Sequence, residues 1–176
     1  MKIIEYKPEF EDEYIEVHNR AFAGEESIYD NKAREYDEEG RILNTFLAEK
    51  EGKIVGLIDL VKVEEEEDTV EIDPICVLPE HRKGGIGSRL IERGIEWAER
   101  KGYERVRALI SFRVREWLYD FFEEHGFERV SKIFASKDGE IVEVNVDEGC
   151  PFSEEVLKGQ VYVYERRISG GGIFRI

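Results

Sequence analysis

The chain has 176 residues, with 41 Asp and Glu against 26 Lys and Arg, and a formal net charge of -15. That length suits a single domain spanning 1–176, and 41% hydrophobic with 11% aromatic residues supplies enough apolar material for a packed core. Charge of this sign repels nucleic-acid phosphates and anionic lipid, which argues against nucleic-acid and membrane partners. No apolar run reaches the roughly 20 residues that span a bilayer, and residues 1–5 lack a long signal core, so a cytoplasmic location is expected. Cys76 and Cys150 form no paired spacing and His18, His81 and His125 lie far apart, so no metal site is expected.

Residues 3–6 read as a strand, after which Phe10, Tyr14, Val17 and Ala21 recur at helical spacing. The polar stretch 27–39 reads as a second helix closed by Gly40. Residues 42–48 and 54–61 flank the turn Lys50, Glu51, Gly52, Lys53 and form a hairpin. The acids of 64–68 read as a solvated turn before a strand over 70–77. Pro79 breaks that strand, and a glycine-rich segment leads into a helix whose apolar stripe is Ile86, Leu90, Ile91, Ile95, Trp97 and Ala98, ending at Gly102. Next come a strand over 106–110 and a helix carrying Val114, Trp117, Leu118, Phe121 and Phe122 to a stop at Gly126, with both tryptophans expected in the core or at its edge. Strands over 127–135 and 141–146, a helical turn at 153–157 and a last strand over 160–167 complete the pattern, before a tail over 169–176 that is flexible by composition. Mixed strands and helices over this length indicate an α/β (α+β) fold.

The chemistry is concentrated in Val77, Leu78, Pro79, Glu80, His81, Arg82, Lys83, Gly84, Gly85, Ile86, Gly87, Ser88. Glycines between a strand end and a helix start let main-chain amides converge on an anion, where the helix dipole adds positive charge, so a phosphate-bearing ligand is implied. Gly87 is followed by Ser88 and Arg89, not by Lys and then Ser or Thr, which excludes a triphosphatase loop. A dinucleotide site needs a third Gly or Ala near Leu90 and an acid ending the next strand, which closes instead on Leu109, Ile110 and Ser111.

Arg82, two variable residues, Gly85, one variable residue and Gly87 resemble the Arg/Gln-x-x-Gly-x-Gly/Ala signature of the GNAT superfamily of acyl-CoA-dependent N-acetyltransferases. The lead-in from Val77 to His81, the hairpin with Val55 and Gly56, the strand near Val106 and the helix closing in His125, Gly126, Phe127 stand in that family's order. The resemblance covers about residues 3–127 and the last strand, and leaves 137–158 as an unmatched insert. It implies a GNAT-like central sheet, mixed but mostly antiparallel and twisted, flanked by helices and splayed at the cofactor strand, with acetyl-CoA as co-substrate. It further implies that the main chain of Ile75, Cys76 and Val77 pairs with pantetheine, and that amides of Arg82, Lys83, Gly84, Gly85, Ile86, Gly87 and Ser88 hold the pyrophosphate. The Val77 amide would face the thioester carbonyl as an oxyanion donor. Pro74 points independently to a bulge in that strand.

Acetyl transfer to an amine needs a base and can use an acid for the departing thiolate. Asp73 matches an acidic position that some relatives use just before the bulge and is the first candidate base; Glu71 is the second, and a plain solvent-facing acid is the competing reading. The family's frequent Tyr four residues before the helix-closing Gly is Phe122 here, which has no proton to give, and an Asn that touches pantetheine seven residues earlier is replaced by Arg115. Tyr119 lies one helical turn from Phe122 and is the candidate substitute acid, although a plain Tyr covering the core edge is the favoured reading; a thiolate that leaves unaided is a further alternative. Cys76 reads as a small buried residue instead of a nucleophile, and Tyr162 and Tyr164 as groove-lining or helix-packing residues of the last strand.

These features lead to an N-acetyltransferase that moves an acetyl group from acetyl-CoA to a primary amine by direct attack in a ternary complex. Two competing classes are an acyl-CoA-binding module without turnover and a binder of another nucleotide. Acids away from the loop would concentrate a cationic acceptor. A protein N-terminus, lysine, polyamine, amino sugar and amino acid all stay open as acceptors. Homodimers are common in the resembled family, although no exposed apolar stripe compels one here.

Overall fold

Among the described residues the strongest local signals become paired strands and two long helices. The computed structural model describes residues 1–23, 40–111 and 116–168. The chain runs β1 (Lys2–Glu5), α1 (Glu11–Ala21), β2 (Ile42–Lys50), β3 (Lys53–Lys62), β4 (Thr69–Val77), α2 (Ile86–Lys101), β5 (Arg105–Ser111), α3 (Trp117–Glu124), β6 (Glu128–Ser136), β7 (Ile141–Asn145) and β8 (Leu157–Arg167). Short 3-10 turns at Pro8–Phe10 and Pro79–His81 precede α1 and the glycine segment. The helix expected over 27–39, the tail from residue 169, and Val114 with Arg115 lie outside the described residues.

The eight strands form one sheet in the order β1-β2-β3-β4-β5-β8-β6-β7. Among the described residues β4 and β5 make the one parallel pair, and the other ladders are antiparallel. A parallel pair needs a crossover, and α2 supplies it. The last strand, β8, returns to lie between β5 and β6, a long-range pairing that no local pattern could announce. The unmatched insert extends the sheet: β7 pairs with β6 as an edge strand, and Lys132 Nζ donates to the Glu148 carbonyl at 2.8 Å to pin the returning loop.

Helices α1 and α2 cover opposite faces. Successive β3 side chains alternate in direction; Asp59 accepts a hydrogen bond from the Tyr14 hydroxyl of α1, while Ile58 and Leu60 lie 3.2 and 3.3 Å from where a Cβ on Gly94 of α2 would sit. The stripe on α2 is buried as its spacing requires, Trp97 included. Trp117 departs from expectation: it is 52% exposed. Helix α3 begins at Trp117, and its buried face centres on Phe122, about 140° farther round the helix, so the indole points off the sheet.

The acidic turn differs as well. Instead of being wholly solvated, Glu66 and Asp68 clamp two β5 arginines, with Asp68 to Arg105 at 2.8 Å and Glu66 to Arg107 at 2.7 Å. Arg107 also reaches Glu165 of β8 at 2.8 Å, so one network ties the turn to both strands. No helix among the described residues is long and apolar enough to cross a membrane.

The tightest glycine in the sheet is Gly56, where an added Cβ would sit 2.9 Å from the Cys76 carbonyl oxygen and 3.2 Å from Val77 Cγ2. Backbone cannot yield there as a flexible side chain would. Urea unfolding of Gly56→Ala is therefore expected to show a loss of about 1 to 3 kcal/mol. Gly159→Ala, which meets nothing within 4 Å, is expected to change stability by less than about 1 kcal/mol.

Candidate active site

Strands β4 and β5 pair only from Thr69 and Arg105 to Ile72 and Ala108. Beyond that point β4 bulges. Its register against β3 passes from Leu60 opposite Ile72 to Ile58 opposite Ile75, so Asp73 and Pro74 together face the single residue Asp59. Farther along, β5 continues against β8 alone, through Leu109 opposite Val163 to Ser111 opposite Val161. The two strands thus part into a V.

The hydrogen-bond alternation shows which main-chain groups line that V. The Leu78 amide donates to the Val55 carbonyl at 2.9 Å, and Val77 stands opposite Gly56 in the same register. In an antiparallel ladder bonded and non-bonded pairs alternate, so Cys76 bonds toward Leu57 while Ile75 and Val77 turn their N–H and C=O groups away from β3. Those two residues face the side where β5 has departed. Cys76 directs its main chain to β3 and its side chain into the core; burial, reinforced by Asp59, drives its thiol pKa far above the ordinary value. That is an inert thiol.

After the Pro79–His81 turn the loop enters α2 through two left-handed residues, Lys83 with φ 62° and Gly85 with φ 73°. Gly85 is the helix N-cap, and the first intrahelical bond runs from the Arg89 amide to the Gly85 carbonyl at 3.2 Å. The amides of Ile86, Gly87 and Ser88 therefore precede the helical ladder and point out of the helix start, as an anion site requires. A Cβ on Gly87 would stand 3.4 Å from the Phe121 ring, so this glycine lets α3 close over the loop. The Arg82 amide is used within the turn, donating to the Pro79 carbonyl at 3.3 Å. Its guanidinium is used too: Nε donates to the Val77 carbonyl at 2.9 Å and Nη2 to the Ala21 carbonyl at 3.0 Å.

Acids gather where the V opens. Glu71 is 9% exposed, and burial, together with the neighbouring Asp73 charge, raises its pKa to about 7 although Arg107 and Arg41 pull the other way. Asp73 is open to solvent, yet the surrounding protein still desolvates it enough to raise its pKa, against Arg41 and His18. Water screens an exposed group, so the departure that matters most is that of Glu71. His18 was not legible as a site residue. It is 3% exposed on the inner face of α1, stacked on Tyr14 with ring centroids 6.5 Å apart, and it lies within electrostatic reach of Asp73. Burial lowers its pKa, partly offset by a hydrogen bond with Asn19 and by Asp73.

On the other face, Phe122 is 3% exposed and packs against Phe127 and Phe121, so the structure sets it in the core. Tyr119 donates its hydroxyl to the Ser111 carbonyl at 3.1 Å, stacks near Tyr164 and meets Tyr162 edge-on. Burial and nearby Tyr162 raise its pKa. Arg129 of β6 completes this cluster, lying 4.0 Å above the Tyr162 ring and donating to the Tyr164 hydroxyl at 2.7 Å. Tyr162 and Tyr164 thus pack beneath α3. Arg129 was missed because its partners come from strands and a helix remote in sequence. Arg115 lies outside the described residues.

The Glu71 environment has a consequence for stability. The unfolded chain holds this proton with the ordinary value of 4.5 and the folded chain with about 7, so folding takes up a proton between those values and stability falls as pH rises through that window. Glu71→Gln is expected to match the wild type near pH 4 and to be more stable by about 2 to 3 kcal/mol at pH 8, measured by urea unfolding. Equal pH dependence in the two proteins would remove this reading.

Similarity to known proteins bears on the same residues. Residues 5–127 match the profile of the acetyltransferase (GNAT) family, a span that includes the glycine loop, the V and α3. The chain is 30% identical over 131 residues to an uncharacterized N-acetyltransferase of Methanocaldococcus jannaschii, a match covering 66% of this chain and 56% of that relative's length. The fold is shared with the ribosomal-protein-S18-alanine N-acetyltransferase of Escherichia coli, at TM-score 0.71 and 17% identity over 99% of this chain and 98% of that one. It is shared as well with a GNAT family acetyltransferase of Elizabethkingia anophelis that has acetyl-CoA bound, at TM-score 0.65 and 18% identity over 95% and 97%. The chain with its parted β4 and β5 and its glycine-led helix belongs to the acetyltransferase (GNAT) family.

Proposed function

We propose that this protein transfers an acetyl group from acetyl-CoA to a primary amine by direct attack within a ternary complex. The observation that carries the proposal is the main chain of Ile75 and Val77 turned toward the V, beside a helix start whose first amides are free of the helical ladder. An extended ligand with amide groups and an anionic end fits both features at once. The amides of Gly85, Ile86, Gly87 and Ser88 would receive the pyrophosphate, aided by the helix dipole. The main chain of Ile75 and Val77 would pair with the amides of the pantetheine arm as a neighbouring strand does. Acetyl-CoA supplies an activated acetyl group and a thiolate leaving group.

The Val77 N–H would then donate to the carbonyl oxygen as negative charge develops there. Asp73, exposed at the bulge, is the base we assign for the attacking ammonium, directly or through one water, with Glu71 behind it. Acids around this mouth favour an acceptor that arrives as a cation. Its chemical class extends from a protein N-terminus to a polyamine; the Escherichia coli neighbour, named for the alanine of a ribosomal protein, makes an N-terminal amine one acceptor to include. For the thiolate we assign no proton donor from α3. Phe122 has none to give and Tyr119 already donates to Ser111, while a thiol with an ordinary pKa of about 8.5 leaves tolerably without help.

A thiol-release assay with acetyl-CoA and a panel of amines tests the proposal. Cationic amines are expected to turn over, with an acceptor KM that rises with added salt. Asp73→Asn is expected to lower kcat by about 10²-fold or more and to flatten the acid limb of the pH profile. Tyr119→Phe should stay within about threefold of wild type. CoA binding without thiol release from any amine would favour the non-catalytic module, and an unchanged pH profile in Asp73→Asn would remove Asp73 as the base.

A further inference from the structure

The side chain of Arg82 performs a task that its place in the glycine motif does not announce. Its Nε donates to the Val77 carbonyl at 2.9 Å and its Nη2 to the Ala21 carbonyl at 3.0 Å. Val77 ends the strand that lines the V. Ala21 is the last residue of α1, and its carbonyl is among those that a helix leaves without an internal partner. A guanidinium at that end is favoured by the helix dipole as well. One side chain therefore joins three elements: the loop that carries it, the strand, and the C-terminus of α1.

Helix α1 is not a remote element. One turn back from its end, His18 lies near Asp73 on the bulge, and one turn farther Tyr14 donates to Asp59 directly opposite that bulge. The helix roofs the acids that face the acceptor. A second tie, Arg20 to Glu80, runs beside the first, but both side chains are about half exposed. Arg82 is exposed as well, but its partners are main-chain carbonyls held by β4 and α1, whereas an exposed pair of two mobile side chains contributes little.

We propose that Arg82 is a positioning residue that couples cofactor binding to the setting of α1, so that an occupied loop fixes the roof of the acceptor site. This rests on the reading of residues 83–88 as the pyrophosphate loop. That loop contains left-handed Lys83 and Gly85, a conformation that a non-glycine residue adopts at some strain. Anion binding to its amides holds it in place and so fixes the root of the Arg82 side chain. The guanidinium then holds the last turn of α1 more firmly, and the two binding events assist each other, since coupling between sites is reciprocal.

The test is amide hydrogen exchange in α1, followed by mass spectrometry on the full chain with and without saturating CoA. CoA affinity is first measured by calorimetry for the wild type, Arg82→Gln, Arg82→Lys and Glu80→Gln. CoA is expected to slow α1 exchange about fivefold or more in the wild type and in Glu80→Gln, and less than about twofold in Arg82→Gln. Arg82→Lys, whose ammonium cannot span both carbonyls, is expected to retain at most half of the wild-type effect, and it carries the test should Arg82→Gln not fold. Equal protection of α1 in wild type and an Arg82 variant that binds CoA overturns the proposal, as does a wild type that binds CoA with α1 unaffected. A folded Arg82→Gln that binds no CoA at millimolar concentration assigns the guanidinium to the ligand and overturns the proposal too. A wild type that binds no CoA at all would instead overturn the reading of the loop.

Discussion

The interruption of one β ladder governs the rest of this molecule. Strands β4 and β5 hold each other as far as Ile72 and Ala108 and then separate, because two residues of β4, Asp73 and Pro74, are set against one of β3. Proline has no amide to give to a neighbour, so its place at the bulge removes no bond the sheet needs. An open strand edge inside a sheet is an unsatisfied structure. It persists here because β3 holds β4 on one side while β8 holds β5 on the other. The gap is thus built by neighbours that compensate for it, and the proposed chemistry rests on what the gap exposes: the backbone of Ile75 and Val77, the Asp73 carboxylate and the start of α2.

Charge is arranged around this gap on two scales. The chain as a whole carries -15, which opposes the approach of a polyphosphate. At the loop the α2 amides and helix dipole act in the opposite sense. On the α1 side the acids are kept apart from one another by arginines. Glu66 and Glu165 are bound to Arg107, while Glu71, next to Arg107 across the strands, stays buried with a raised pKa. Two carboxylates two residues apart on β4 therefore differ in character, one buried and one open to water. Net charge alone argues against anionic partners; the placement of these groups is what the proposed preference for a cationic amine rests on.

The local features of this fold were legible in the sequence and the long-range ones were not. The hairpin of β2 and β3, the stripe of α2 and the Arg82, Gly85, Gly87 pattern each lie within a few residues, so spacing reveals them. The insertion of β8 between β5 and β6 depends on pairing residues far apart in the chain, such as Arg105 with Arg167 and Glu128 with Glu165, and apolar alternation cannot specify a partner. The apolar stripe puts Trp117 in the core or at its edge because it carries no marker of where the helix begins; a start at Trp117 turns the indole outward. Glu66 and Asp68 look like turn acids until β5 brings Arg105 and Arg107 beside them. His18 and the side-chain role of Arg82 were hidden for the same reason: both act across elements, from α1 to the bulge and from the loop to α1.

A crystal structure of the CoA complex tests the central claim most directly, because it reads the contacts of the gap atom by atom. The pantetheine amides are expected to bond with the main chain of Ile75 and Val77, the pyrophosphate to rest on amides within residues 83–88, and the Cys76 main chain to stay paired with Leu57. A complex in which CoA lies elsewhere, or in which β4 and β5 have closed on each other, would contradict it.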